Sequence, residues 1–123
     1  MSELTSSAGS AVRMLTAEAV AVSSPHVLIA DGNQESRTWR EAQLRTAGCR
    51  VSVARTGFEA IVKASCHVPD LILLDDSLSN LEAGETGRLL TTCPVTSHIP
   101  VVRLHAGRRV PQAVLRRLRR VAV

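Results

Sequence analysis

Four residues of this chain have side chains suited to phosphorus or metal chemistry and stand just beyond short apolar runs: Asp31, Asp75, Asp76 and His105. A cluster of carboxylates can hold a hard divalent cation through oxygen ligands. One carboxylate of such a cluster can also act as a nucleophile toward phosphorus. Phosphoryl transfer to an aspartate needs both, because the metal neutralises charge building on the phosphoryl oxygens.

The elements around these residues must bring them together. Val27, Leu28, Ile29 and Ala30 form a continuous apolar run closed by Asp31-Gly32-Asn33, the pattern of a strand buried on both faces. Leu71, Ile72, Leu73 and Leu74 repeat it and end at Asp75-Asp76. Val51 and Val53 alternate with polar residues, and Ile99 to Leu104 gives a further strand before His105. Between them lie helical stretches. Residues 34–47 are expected to anchor through Trp39, Ala42, Leu44 and Ala47, ended by Gly48. Residues 57–66 carry Phe58, Ile61, Val62 and Ser65 at helical spacing, predicting a buried face there. A weaker helix over 83–92 turns Leu89 and Leu90 inward, and residues 111–120 place Val114, Leu115 and Leu118 opposite arginines.

Strands alternating with helices imply an α/β fold with a doubly wound parallel sheet. Such sheets bind ligands beyond the carboxyl ends of their strands. Asp31, Asp75, Asp76 and His105 therefore converge on one rim.

Composition narrows the function classes. The 123 residues include one Trp, one Phe and no Tyr, so the core is aliphatic. Residues 1–102 hold 8 basic and 11 acidic side chains, whereas residues 103–123 hold seven arginines and no acid. The basic character belongs to the end of the chain, unlike that of a uniformly basic nucleic-acid binder. Cys49, Cys66 and Cys93 lack CxxC spacing, and the four histidines are scattered, which argues against a zinc site or a disulfide framework. No apolar run approaches the ~20 residues of a membrane span, and a soluble, cytoplasmic protein without membrane association is expected.

Four segments in register, HVLIAD (26–31), GCRVSVARTGFEA (48–60), PDLILLD (69–75) and IPVVRLHA (99–106), resemble the bacterial response-regulator receiver domain of two-component signalling. The resemblance implies a flavodoxin-like fold and a phosphorelay role without enzymatic turnover. It puts Asp75 at the phosphoacceptor position and Asp31 at the first of the acidic pair. It also gives Ser77 the place that offers a backbone carbonyl to a metal, His105 the switch position of a Ser/Thr, and Ala106 the small residue after it.

Departures from the pattern are equally specific. Gly32 stands where the second acid belongs, which weakens Mg²⁺ binding. Asn33 and Asp76 are the candidates to replace it, although strand alternation directs Asp76 to the opposite face. The only lysine is Lys63, inside the second helix, so none follows a fifth strand. The aromatic of the fifth strand is missing as well. Only Val121-Ala122-Val123 remains to form that strand, so strand five and helix five are missing or vestigial. An open sheet edge would then invite a homodimer or a domain swap.

The expected organisation is a leader over 1–24, a receiver-like core over 25–107 and an Arg-rich amphipathic helix over 108–123. Two modes of action stay open: a stand-alone module phosphorylated on Asp75 by a sensor histidine kinase, or a phosphorylation-independent pseudo-receiver that binds another signalling protein. Nucleic-acid association through residues 108–123 is a further reading. A metal-dependent phosphatase has little support, since no second acid sits two residues after Asp75.

Overall fold

A computed structural model of the chain describes residues 24–78 and 80–122. The leader expected over 1–24 lies almost wholly outside the described residues, as does Val123. The elements run in chain order β1 (His26–Ala30), α1 (Gln34–Thr46), β2 (Arg50–Ala54), α2 (Gly57–His67), β3 (Leu71–Asp75), α3 (Asn80–Thr92), β4 (Val101–Leu104) and α4 (Gln112–Ala122). The four strands pair in parallel in the order β2-β1-β3-β4. Among the described residues, four parallel strands with helices on both faces form the flavodoxin-like, doubly wound architecture expected from the sequence.

Strand alternation divides the core in two. Val27, Ile29, Leu71 and Leu73 face Leu44 of α1 and Leu115 and Leu118 of α4. Leu28, Ala30, Ile72 and Leu74 face Ala60 and Ala64 of α2 and Ala83 and Leu90 of α3. β1 and β3 are central strands packed on both faces, which is why their sequences show no polar alternation.

The helices begin where local chemistry favours it. The Asn33 side chain accepts the Ser36 N–H at the start of α1, and the Thr56 hydroxyl accepts the Glu59 N–H at the start of α2. The Glu59 carboxyl pKa is lowered from its ordinary value, mainly by the hydrogen bond from Lys63.

Several expected faces differ. In α2 the buried residues are Gly57, Ala60 and Ala64, while Phe58 is 78% exposed and Val62 is also exposed. The buried stripe is one residue, about 100° round the helix, from the expected one. Small side chains let α2 lie close to α3: a Cβ on Gly57 would meet Thr86 Oγ1 at 2.0 Å. In α3 Leu90 is buried but Leu89 is exposed. Trp39, expected as a core anchor, is half-buried, and the buried residues of α1 are Ser36, Arg40 and Leu44. Val121 and Ala122 continue α4 rather than starting a fifth strand. Arg116 and Arg117 face outward from α4; the side chains of Arg119 and Arg120 lie outside the described set. Among the described residues, no helix is long and apolar enough to cross a membrane.

Candidate functional site

Because the strands are parallel, their carboxyl ends lie side by side. The Asp31 N–H donates to the Ala54 carbonyl and the Asp76 N–H to the Leu104 carbonyl, so pairing continues to the rim. Asp31 and Asp75 are thereby carried to its centre with 0% and 1% of their surface exposed.

Two carboxylates buried side by side repel each other unless a cation or several donors compensate. Here the compensating cation is Arg40, itself 0% exposed. Its Nη1 donates to Asp31 Oδ2 at 3.1 Å and, in a closer contact, to Asp75 Oδ2. Nη2 donates to the carbonyls of His105 at 3.0 Å and Arg108 at 2.6 Å. Nε donates to the same Arg108 carbonyl at 2.9 Å. All the N–H groups of the guanidinium are satisfied. The side chain ties α1 to the ends of β1 and β3 and to the segment after β4.

Neutral donors complete the carboxylate shells. Asp31 Oδ1 accepts from the Asn33 N–H at 2.8 Å and the Ser77 hydroxyl at 3.0 Å, and Oδ2 accepts from the Ser36 hydroxyl at 2.5 Å. With Arg40, these donors fill the acceptor capacity of one carboxylate. Asp75 Oδ1 accepts from the Ser77 N–H at 2.5 Å. Among the described residues, no buried side-chain nitrogen or oxygen lacks a partner.

The other expected site residues are placed as follows. Ser77 turns its N–H and hydroxyl to the two acids, so its side chain takes part in the site, not just its carbonyl. The His105 ring is 86% exposed and lies 3.3 Å from Asp76; its backbone carbonyl, through Arg40, is what reaches the acid pair. Asp76 points away from the pocket and pairs with Arg103 at 3.0 Å. Asn33 contributes its N–H to Asp31 and caps α1. Lys63 is remote, donating to the Val53 carbonyl and pairing with Glu59. A cavity of about 330 Å³ opens beside Asp75, between Asn33, Ser36, Trp39, Ser77 and Ala106.

The donor set fits a guanidinium better than a divalent ion. Mg²⁺ demands near-ideal octahedral oxygen ligands. Position 32 offers none from a side chain, Asp31 is saturated, and Arg40 holds the facing oxygens of both acids. Among the described residues, no group of three His, Cys, Asp or Glu side chains is arranged to hold a metal ion.

Arg40 did not figure in the sequence-based expectations. Its signal was the i, i+4, i+8 stripe Ser36-Arg40-Leu44, which shares one helical face. Leu44 is its only apolar member.

No family model matches the chain. Over 83 residues it is 34% identical to the response regulator PleD of Caulobacter vibrioides, a match that covers 68% of this chain. The chain spans 18% of the length of that relative. Among solved structures it is similar to the N-terminal domain of a response regulator receiver protein from Methanoculleus marisnigri, with 28% identity and a TM-score of 0.63 over 72% of each chain. It also superposes on the receiver domain of the sensor histidine kinase PA1611 from Pseudomonas aeruginosa, which has a magnesium ion coordinated in its active-site cleft. That likeness, at 23% identity and a TM-score of 0.68 over 80% of this chain and 98% of the other, is one of fold.

Proposed function

We infer the function from one premise: this chain carries a receiver domain of the response-regulator family, and is a signal-transduction module of that class. Within the class, we propose that it acts by contact with another signalling protein while Asp75 stays unphosphorylated. The observation that supports this reading is the Arg40 side chain seated between Asp31 and Asp75. Asp75 Oδ2, an oxygen that could attack phosphorus, is already engaged by a buried cation. The His105 ring faces solvent beside Asp76.

The second reading keeps Asp75 as a phosphoacceptor served by a sensor histidine kinase. The cavity beside Asp75 favours it, as does the presence of only two donors on that carboxylate among the described residues. Arg40 would then have to leave Asp75 Oδ2 before that oxygen attacked the donor's phosphorus.

Incubation with a small phosphodonor and Mg²⁺, followed by intact-mass measurement, separates the two. The first reading expects no adduct in the wild type. An adduct that disappears in Asp75→Asn would establish the second.

A further inference from the structure

We propose that Arg40 is a resident counter-cation that takes the place of a divalent metal in the acid pocket and fastens the segment after β4 to it. The inference deepens the reading above and rests on the rim being a receiver's acid pocket.

Charge and geometry point the same way. Two buried carboxylates carry a formal charge of −2, and one guanidinium reduces it to −1 within a shell of neutral donors. A third carboxylate at position 32 would return the pocket to −2. Glycine there therefore matches an arginine-filled site, just as an acid would match a divalent ion. Space does not exclude an acid, because a Cβ on Gly32 meets nothing nearer than the Arg55 carbonyl at 3.6 Å. The missing acid at position 32 thus has a cause within the site: the cation is supplied from α1.

The guanidinium also joins oxygens of two kinds. On one side it holds Asp31 and Asp75; on the other it holds the carbonyls of His105 and Arg108. Ion and arginine compete for the same carboxylate oxygens, and their like charges forbid both at short range. The position of the segment between β4 and α4 is accordingly fixed from within, with no need for a bound ion.

Mn²⁺ titration followed by electron paramagnetic resonance tests this on the full chain. The wild type is expected to leave millimolar Mn²⁺ free, and its thermal midpoint should not move with Mg²⁺. Arg40→Met combined with Gly32→Asp should bind Mn²⁺ at least about tenfold more tightly than the wild type. Arg40→Gln, which keeps an amide donor near Asp75, serves as a milder second variant with the same expected direction. Wild-type binding as tight as that of the variants would overturn the proposal, as would folded variants that bind no better. Variants that remain unfolded in millimolar Mn²⁺ would also contradict it, since the ion would have failed to replace the guanidinium. Metal binding by the wild type without a phosphate adduct would sink this inference alone. An adduct on Asp75 without wild-type metal binding would sink only the unphosphorylated reading.

Discussion

Arg40 and Asp75 form a direct ion pair across the carboxyl end of the sheet, with neither side chain in contact with solvent. The residues lie 35 positions apart, one on the first helix and the other at the end of a central strand. Their pairing makes the rim a junction closed by a side chain of the protein itself.

Breaking this junction from one side leaves an uncompensated buried charge. Arg40→Met is expected to lower the unfolding free energy by about 3–5 kcal/mol. Asp75→Asn should cost less, because the amide oxygen can still accept a hydrogen bond. If the pair acts as one unit, the double variant loses less than the sum, with a coupling of about 0.5–3 kcal/mol. Urea unfolding of the four proteins measures it; strict additivity would mean that the two side chains do not interact.

Close packing of α2 on α3 has its own signature. Gly57→Ala places a methyl group against Thr86 Oγ1, a buried, β-branched neighbour with little freedom to move. A destabilisation of about 1–3 kcal/mol is expected. Adding Thr86→Ala should recover part of it, provided Glu82, the next nearest side chain, gives way. No recovery in the thermal midpoint of the pair would show that the collision lies elsewhere.

His26 is expected to make stability pH-dependent from the opposite end of the sheet. Its imidazole lies 2.7 Å from the Ser52 hydroxyl and is pushed below its ordinary value by burial first, then by Arg50 and His67. On acidification the unfolded chain protonates at about pH 6.5, before the folded one does. The unfolded state therefore binds more protons in that window, and stability rises with pH. The contribution is complete above the unfolded value and is lost as pH falls through the folded one. His26→Gln should flatten the stability profile between slightly acidic and neutral pH. Parallel profiles for the two proteins would remove His26 as the cause.

Much of this architecture can be read from residues alone because β1 and β3 are buried on both faces. Their unbroken apolar runs fix where the strands end, and so where Asp31 and Asp75 stand. The helices are less legible for a physical reason. On α2 two stripes share helical spacing, and the one with small side chains is buried because α3 needs close approach. Phe58, the larger and more apolar side chain, was the misleading signal. On α1 the buried stripe is mostly polar, so apolar periodicity could not reveal it. An arginine is seldom fully buried unless paired, and its partners here come from β1, β3 and the segment after β4. That pairing becomes visible only when the strands are laid side by side.

Nuclear magnetic resonance of the arginine side chains tests the seat of Arg40 most directly. A guanidinium with every N–H engaged in a buried site should give separate, slowly exchanging Nη resonances that are unmoved by millimolar Mg²⁺. Asp75→Asn should shift them while leaving the exposed arginines unchanged. A single averaged, rapidly exchanging Nη signal for Arg40, or one displaced by Mg²⁺, would contradict the arginine-filled pocket.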